Sequence, residues 1–199
     1  MFLRRISTAA SLAGLLILPA AAAQAGPSVR PADAAVAAPA QDEPSAQDAA
    51  FLKAAHQGNL AEIAAGRIAW TTSKDPTVKA LAATLMRDHI HMDADLYQTA
   101  RHLRVFLPDA PTDEQRALAK RYEAAGADTF DEYFISTQLA EHREALKMVA
   151  EQVSDGSEQS VKDLAAAAEP VIAHHRQLLR DAAEAKGIAG YAGAGGRRG

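Results

Sequence analysis

Residues 78–103, VKALAATLMRDHIHMDADLYQTARHL, carry apolar side chains at helical spacing around a central imidazole. At about 100° per residue, Val78, Ala82, Leu85, Met86, Met92, Asp93, Leu96, Ala100 and Leu103 fall within about 60° of His89. A stripe of that period, sustained for about seven turns, is an amphipathic helix facing a core. Outward from it, His142 sits among Ile135, Leu139, Leu146, Val149 and Val153, with Gln138 as a polar neighbour. His175 sits among Val161, Leu164, Ala168, Val171, Ile172 and Leu179. Glu62 lies among Phe51, Ala55, Ala65, Gly66 and Ala69, a small-residue stripe that lets a neighbouring helix approach closely.

The punctuation between these stripes predicts long helices over 48–73, 76–104, 128–153 and 158–186. Asp48 is the expected cap of the first, and Ser73-Lys74-Asp75-Pro76 supplies a cap with proline at the first helical position of the second. Thr112 and Gln115 form a capping box for a short helix over 113–125, which Gly126 is expected to end. Asp128 and Asp131 then open the third long helix, and Gly187 closes the fourth. Pro170 inside the fourth predicts a kink with a freed carbonyl near Ala166. No strand-period segment, internal repeat or glycine-rich phosphate loop appears in the sequence. The fold class is therefore all-α, a four-helix bundle with an extra short helix between long helices 2 and 3. The connection holding that short helix is long enough to cross the bundle lengthwise or to fold back as a hairpin.

Residues 1–25 read as a secretory signal: MFLRR, then the apolar run ISTAASLAGLLIL, then Pro19 and small residues up to Ala25. The Pro- and Ala-rich residues 26–47 read as a linker, residues 48–187 as the bundle, and residues 188–199 as a Gly-rich disordered tail. These features predict an exported, periplasmic protein. The chain has no cysteine, so neither disulfides nor a lipid-attachment thiol is available. The net charge of -4 falls to about -6 once Arg4 and Arg5 leave with the signal, which argues against nucleic acid and anionic membrane surfaces. No stretch after the signal is long enough to insert across a bilayer, and no small-molecule substrate can be identified. A homo-oligomer or an envelope partner is left open.

If the helices bundle, Glu62, His89, His142 and His175 meet in one interior layer, because each lies near the middle of its helix. Three nitrogens and one carboxylate suit a divalent transition metal such as zinc, copper or iron, and Asp93, one turn after His89, is expected either to support a ligand from behind or to be a fifth ligand. Two other readings of the same residues stay open. One is a metal-free His/Glu network in a structural or interaction module of the envelope, and the other is a pH-responsive layer. A di-iron centre needs Glu-x-x-His on two helices, whereas Met86, Leu139 and Ile172 stand three residues before the histidines. Nucleophile motifs are absent, so no catalytic residue is assigned. Asp88, His91 and Asp95 read as a solvated face, and His56, His102 and His174 lie off the stripe centres.

The segments DAAFLKAAHQGNLAEIAAGRIA, VKALAATLMRDHIHMDADL, FDEYFISTQLAEHREAL and EPVIAHHRQL resemble, in order, the blocks of an exported bacterial family known as domain of unknown function 4142. The resemblance covers roughly residues 48–186 and implies a ferritin-like fold. By position it carries the family's helix-one glutamate onto Glu62, its Asp-His onto Asp88 and His89, its acidic-His onto Glu141 and His142, and its Pro and following His onto Pro170 and His175. Relatives are often labelled membrane or outer-membrane proteins, whereas this sequence shows neither a transmembrane helix nor a barrel pattern. Asp93 departs from the family's pattern, where an amide is common. The resemblance implies a fold and a choice of residues, and no reaction.

Overall fold

A computed structural model describes residues 43–188. The expected signal over 1–25, most of the expected linker and the expected tail from 189 onward lie outside the described residues. Five helices follow one another: α1 Ala46–Thr72, α2 Pro76–His102, α3 Asp113–Ala124, α4 Ala127–Asp155 and α5 Gln159–Ala185. Among the described residues there is no strand, so the all-α expectation holds. None of these helices is long and apolar enough to cross a membrane.

The caps depart from the sequence reading in two places. Ser45, not Asp48, caps α1: its hydroxyl accepts from Asp48 N, and the Asp48 carboxylate accepts from Ser45 N at 3.2 Å, a complete capping box. α3 ends just before Gly126 as expected, but α4, expected to open at Asp128, starts at Ala127 with Gly126 as its N-cap, at φ of -65° and with no side-chain cap. Asp75 caps α2 through Thr77 N at 2.7 Å, and the Thr112/Gln115 box on α3 forms as expected. Gly187, at φ 66°, closes α5 as Ile188 N donates to Ala183 O at 2.9 Å. Ile188 is itself buried, so the fold reaches one residue past the expected boundary. α5 continues through Pro170 to Ala185.

α2 ends differently from expectation, at His102, with Arg104 in the left-handed region at φ 57° while Val105 N donates to Ala100 O at 2.8 Å. Glycine reaches that conformation without a Cβ clash, and Arg104 is exposed, so its side chain gives little back. Arg104→Gly is therefore expected to raise the unfolding free energy by about 0.5 kcal/mol, read as a higher urea midpoint at unchanged slope.

The helix ends that meet fix the chain directions. At one end Asp48 of α1 accepts from Gln152 Nε2 near the end of α4 at 2.6 Å, and from Ser157 N and Glu158 N at the start of α5 at 3.2 and 3.1 Å. At the other end Lys186, just past α5, pairs with Asp75 before α2 and with Asp131 in the first turns of α4, at 2.7 and 2.9 Å. Hence α1 runs antiparallel to α4, α2 antiparallel to α5, and α2 and α4 start at the same end. Residues 103–126, with α3, must traverse the helix length, and of the two routes left open by sequence the folded-back hairpin is excluded. α1 packs chiefly on α2, and α4 on α5. Gly66 permits the first of these contacts, since a Cβ there would lie 3.0 Å from both Ala82 O and Met86 Cβ.

The core has two apolar halves. Tyr122, Phe130, Phe134, Leu81, Leu85 and Leu179 pack near the Lys186 end. Phe51, Leu52, Leu96, Val149, Val161 and Ile172 pack near the Asp48 end. The buried polar residues Asn59, His89, Gln138, His142 and His175 lie between those two groups in sequence on their helices, at mid-height.

Candidate metal centre

His89 comes from α2, His142 from α4 and His175 from α5, and all three are buried. Their ring centroids are 5.4–5.7 Å apart. One ring nitrogen from each lies within 4.8 Å of those of the other two, so the three could hold a metal ion. Each expected histidine is thus brought to the shared layer.

The hydrogen bonds around the rings fix where the protons are. His142 Nδ1 faces the Gln138 carbonyl oxygen at 3.0 Å and can only donate to it. His175 Nε2 donates to Asp88 Oδ2 at 3.0 Å. His89 Nδ1 donates to Asn59 Oδ1 at 2.9 Å, and the amide orientation is supported by Asn59 Nδ2 facing Asp93 Oδ1 at 3.4 Å. The remaining atoms, His89 Nε2, His142 Nε2 and His175 Nδ1, are buried with no hydrogen-bond partner. A neutral imidazole whose one nitrogen is held as a donor offers a lone pair on the other, which is what metal ligation requires.

Burial holds all three imidazoles in the neutral form. The His142 ring is pushed down to about 4 by burial and by neighbouring His175. His89 lies well below the usual imidazole value, for burial first and then for its two imidazole neighbours. His175 is lowered by burial too, against the opposing pull of Asp88. The Asp88 carboxylate, which burial alone would raise, is held below its ordinary value by the His175 and Arg87 hydrogen bonds.

Glu62, expected in the same layer, is not in the compact group of the histidines. With the Gln138 amide turned so that its nitrogen faces the carboxylate, Gln138 donates to Glu62 at 2.6 and 3.1 Å. Burial, with the Glu141 charge added, pushes the Glu62 carboxyl up to about 8 even though the Gln138 bond opposes it. Asp93 stands one step further back than expected, bonded to His56 Nδ1 at 2.7 Å and behind Asn59. Asp88 corrects the sequence reading outright: it is no solvated face residue but the partner of His175. His91 and Asp95 are exposed as expected, and His174 is exposed while its neighbour His175 turns inward. Asn59 was missed altogether, although it stands three residues before Glu62 and hence near the same helical stripe.

These shifts set opposing pH dependences. The three histidines bind protons more weakly folded than unfolded, so the stability they leave intact at neutral pH is lost as pH falls below about 6.5 towards the folded value near 4. Glu62 has the reverse sign: its folded value near 8 lies above 4.5, so stability falls as pH rises from 4.5 to 8. Glu62→Gln is accordingly expected to raise the unfolding free energy by about 2 kcal/mol at pH 8 and to leave it nearly unchanged near pH 4.5. Urea unfolding of chelator-treated protein at the two pH values checks this, and an equal effect at both would contradict it.

The model of the family described as "Domain of unknown function (DUF4142)" matches residues 33–182. The chain belongs to that family. No curated protein and no solved structure matches it. The matched span of this DUF4142 member holds all three histidines, Glu62 and Asp88.

Proposed function

We propose that this DUF4142 protein is exported to the periplasm and binds one divalent transition-metal ion through His89, His142 and His175, inside a ferritin-like four-helix bundle. The observation that carries the metal reading is that three buried imidazoles each keep one partnerless nitrogen and that one ring nitrogen of each lies within 4.8 Å of those of the others. Leaving a buried polar atom unsatisfied costs about 1–3 kcal/mol, and a single cation would satisfy all of them. Asn59, the Gln138 carbonyl and Asp88 already hold the opposite nitrogens, the outer support that ligating histidines typically have. Neutral imidazoles suit zinc, copper or iron(II), and three protein ligands leave a further coordination position open. Glu62 is the nearby carboxylate, kept by Gln138 on the wall of the adjoining cavity.

The ferritin-like reading is supported by the two antiparallel pairs, α1/α2 and α4/α5, joined by a lengthwise connection. Export is supported by the signal-like order of residues 1–25.

The test is a zinc titration of the metal-stripped full chain, followed by calorimetry and thermal melting. One ion per chain is expected, and zinc at about 100 times its dissociation constant should add about 2.7 kcal/mol of stability, reversed by chelator. No uptake and no shift in melting with zinc, copper or iron would reject the proposal.

A further inference from the structure

A cavity of about 620 Å³ adjoins the histidine layer, and His89 and His142 form part of its wall while the fully buried His175 does not. The remaining wall is mainly apolar, with Phe51, Leu96, Met148, Val149, Leu164 and Ile172 drawn from four different helices. A metal ion and one bound water occupy only a small part of such a volume, since water takes about 30 Å³ per molecule. The space matches small-molecule pockets, which run to about 300–1,000 Å³ and are apolar with a few placed polar groups. The charged residues of the wall are Glu62, Asp88, Asp95 and Glu141, and no lysine or arginine joins them. Glu62 is held neutral by burial and Asp88 is paired with Arg87 and His175, so the wall offers an anion no lysine or arginine to bind and an apolar surface that does not solvate it.

We propose that this cavity is a ligand pocket for a neutral or cationic, largely apolar small molecule that reaches the metal through one uncharged lone-pair donor. The inference rests on the metal site proposed above and names what its open coordination position takes. The donor enters from the side walled by His89 and His142, and the apolar body lies along the α1, α2, α4 and α5 walls. Anions of the same size find no lysine or arginine in the lining and are disfavoured by its apolar walls.

The test uses the full chain loaded with cobalt(II), whose visible absorption reports the coordination sphere. Imidazole, 4-phenylimidazole and benzoate are titrated in turn. 4-Phenylimidazole is expected to change the cobalt spectrum and to bind about tenfold or more tighter than imidazole, because its ring leaves water for the apolar wall, with benzoate weaker than both. Ala168→Phe on α5 and Ala145→Leu on α4 narrow the cavity independently and should each abolish the preference for the phenyl compound while cobalt stays bound. Equal affinities for the two imidazoles, tighter benzoate binding, or a preference that survives both fillings would overturn the pocket and leave the metal site standing. Failure of cobalt to bind at all would overturn both.

Discussion

Asp48→Ala is expected to lower the unfolding free energy by about 3 kcal/mol. The Asp48 side chain is fully covered and receives hydrogen bonds from Ser45, Gln152, Ser157 and Glu158. Removing it leaves the Gln152 amide and the backbone N–H groups that open α5 without their acceptor, and unhooks the start of α1 from the end of α4. Asp48→Asn keeps the shape and an acceptor, and should cost about half as much. The pH dependence has a definite sign. Burial raises the Asp48 carboxyl but its hydrogen bonds lower it further, so its contribution is present above the unfolded value of 3.8 and is lost as pH falls below it. Chemical unfolding at pH 7 and pH 3 checks both statements, and a wild-type-like variant at pH 7 would contradict them.

His142→Ala is expected to weaken zinc binding by more than the 10–100-fold typical of losing an outer partner, whereas Asn59→Ala and Asp88→Ala should fall within that range. The graded effect follows from geometry: His142 offers its partnerless Nε2 to the layer, while Asn59 and Asp88 only fix the rings of His89 and His175. Replacing His142 has a second signature. In metal-free protein His142→Leu should be neutral or stabilising, because it removes an imidazole that burial holds neutral and a buried nitrogen with no partner. Zinc affinity and metal-free stability should therefore move in opposite senses. A large loss of metal-free stability in His142→Leu would instead mark the ring as a packing element.

The helices and the three imidazoles were legible because a period of 3.6 residues places His89, His142 and His175 at the centres of apolar stripes near mid-length. Their supporting shell was not. Asp88 stands about 100° from His89 on its helix and so counts as surface, yet α2 and α5 pack side by side and the carboxylate reaches across to His175. The Asp48 cap was misread because Ser45-Ala46-Gln47-Asp48 is itself a capping box, with the aspartate at its third helical position. The course of residues 103–126 was open in sequence, since length permits both routes. Long-range pairs such as Asp48 with Gln152 and Lys186 with Asp131 decide it, and no local pattern contains them.

The central claim is that three histidine nitrogens converge on one ion. Ring nitrogens within 4.8 Å of one another would draw in to about 3.4 Å, the edge of a tetrahedron with bonds of 2.0–2.1 Å. X-ray absorption at the zinc edge of the singly loaded full chain measures this directly. The expected spectrum shows three imidazole nitrogens at about 2.0–2.1 Å with the outer-ring scattering of histidine, reduced to two in His175→Ala. A first shell of oxygens with one imidazole or none would contradict it.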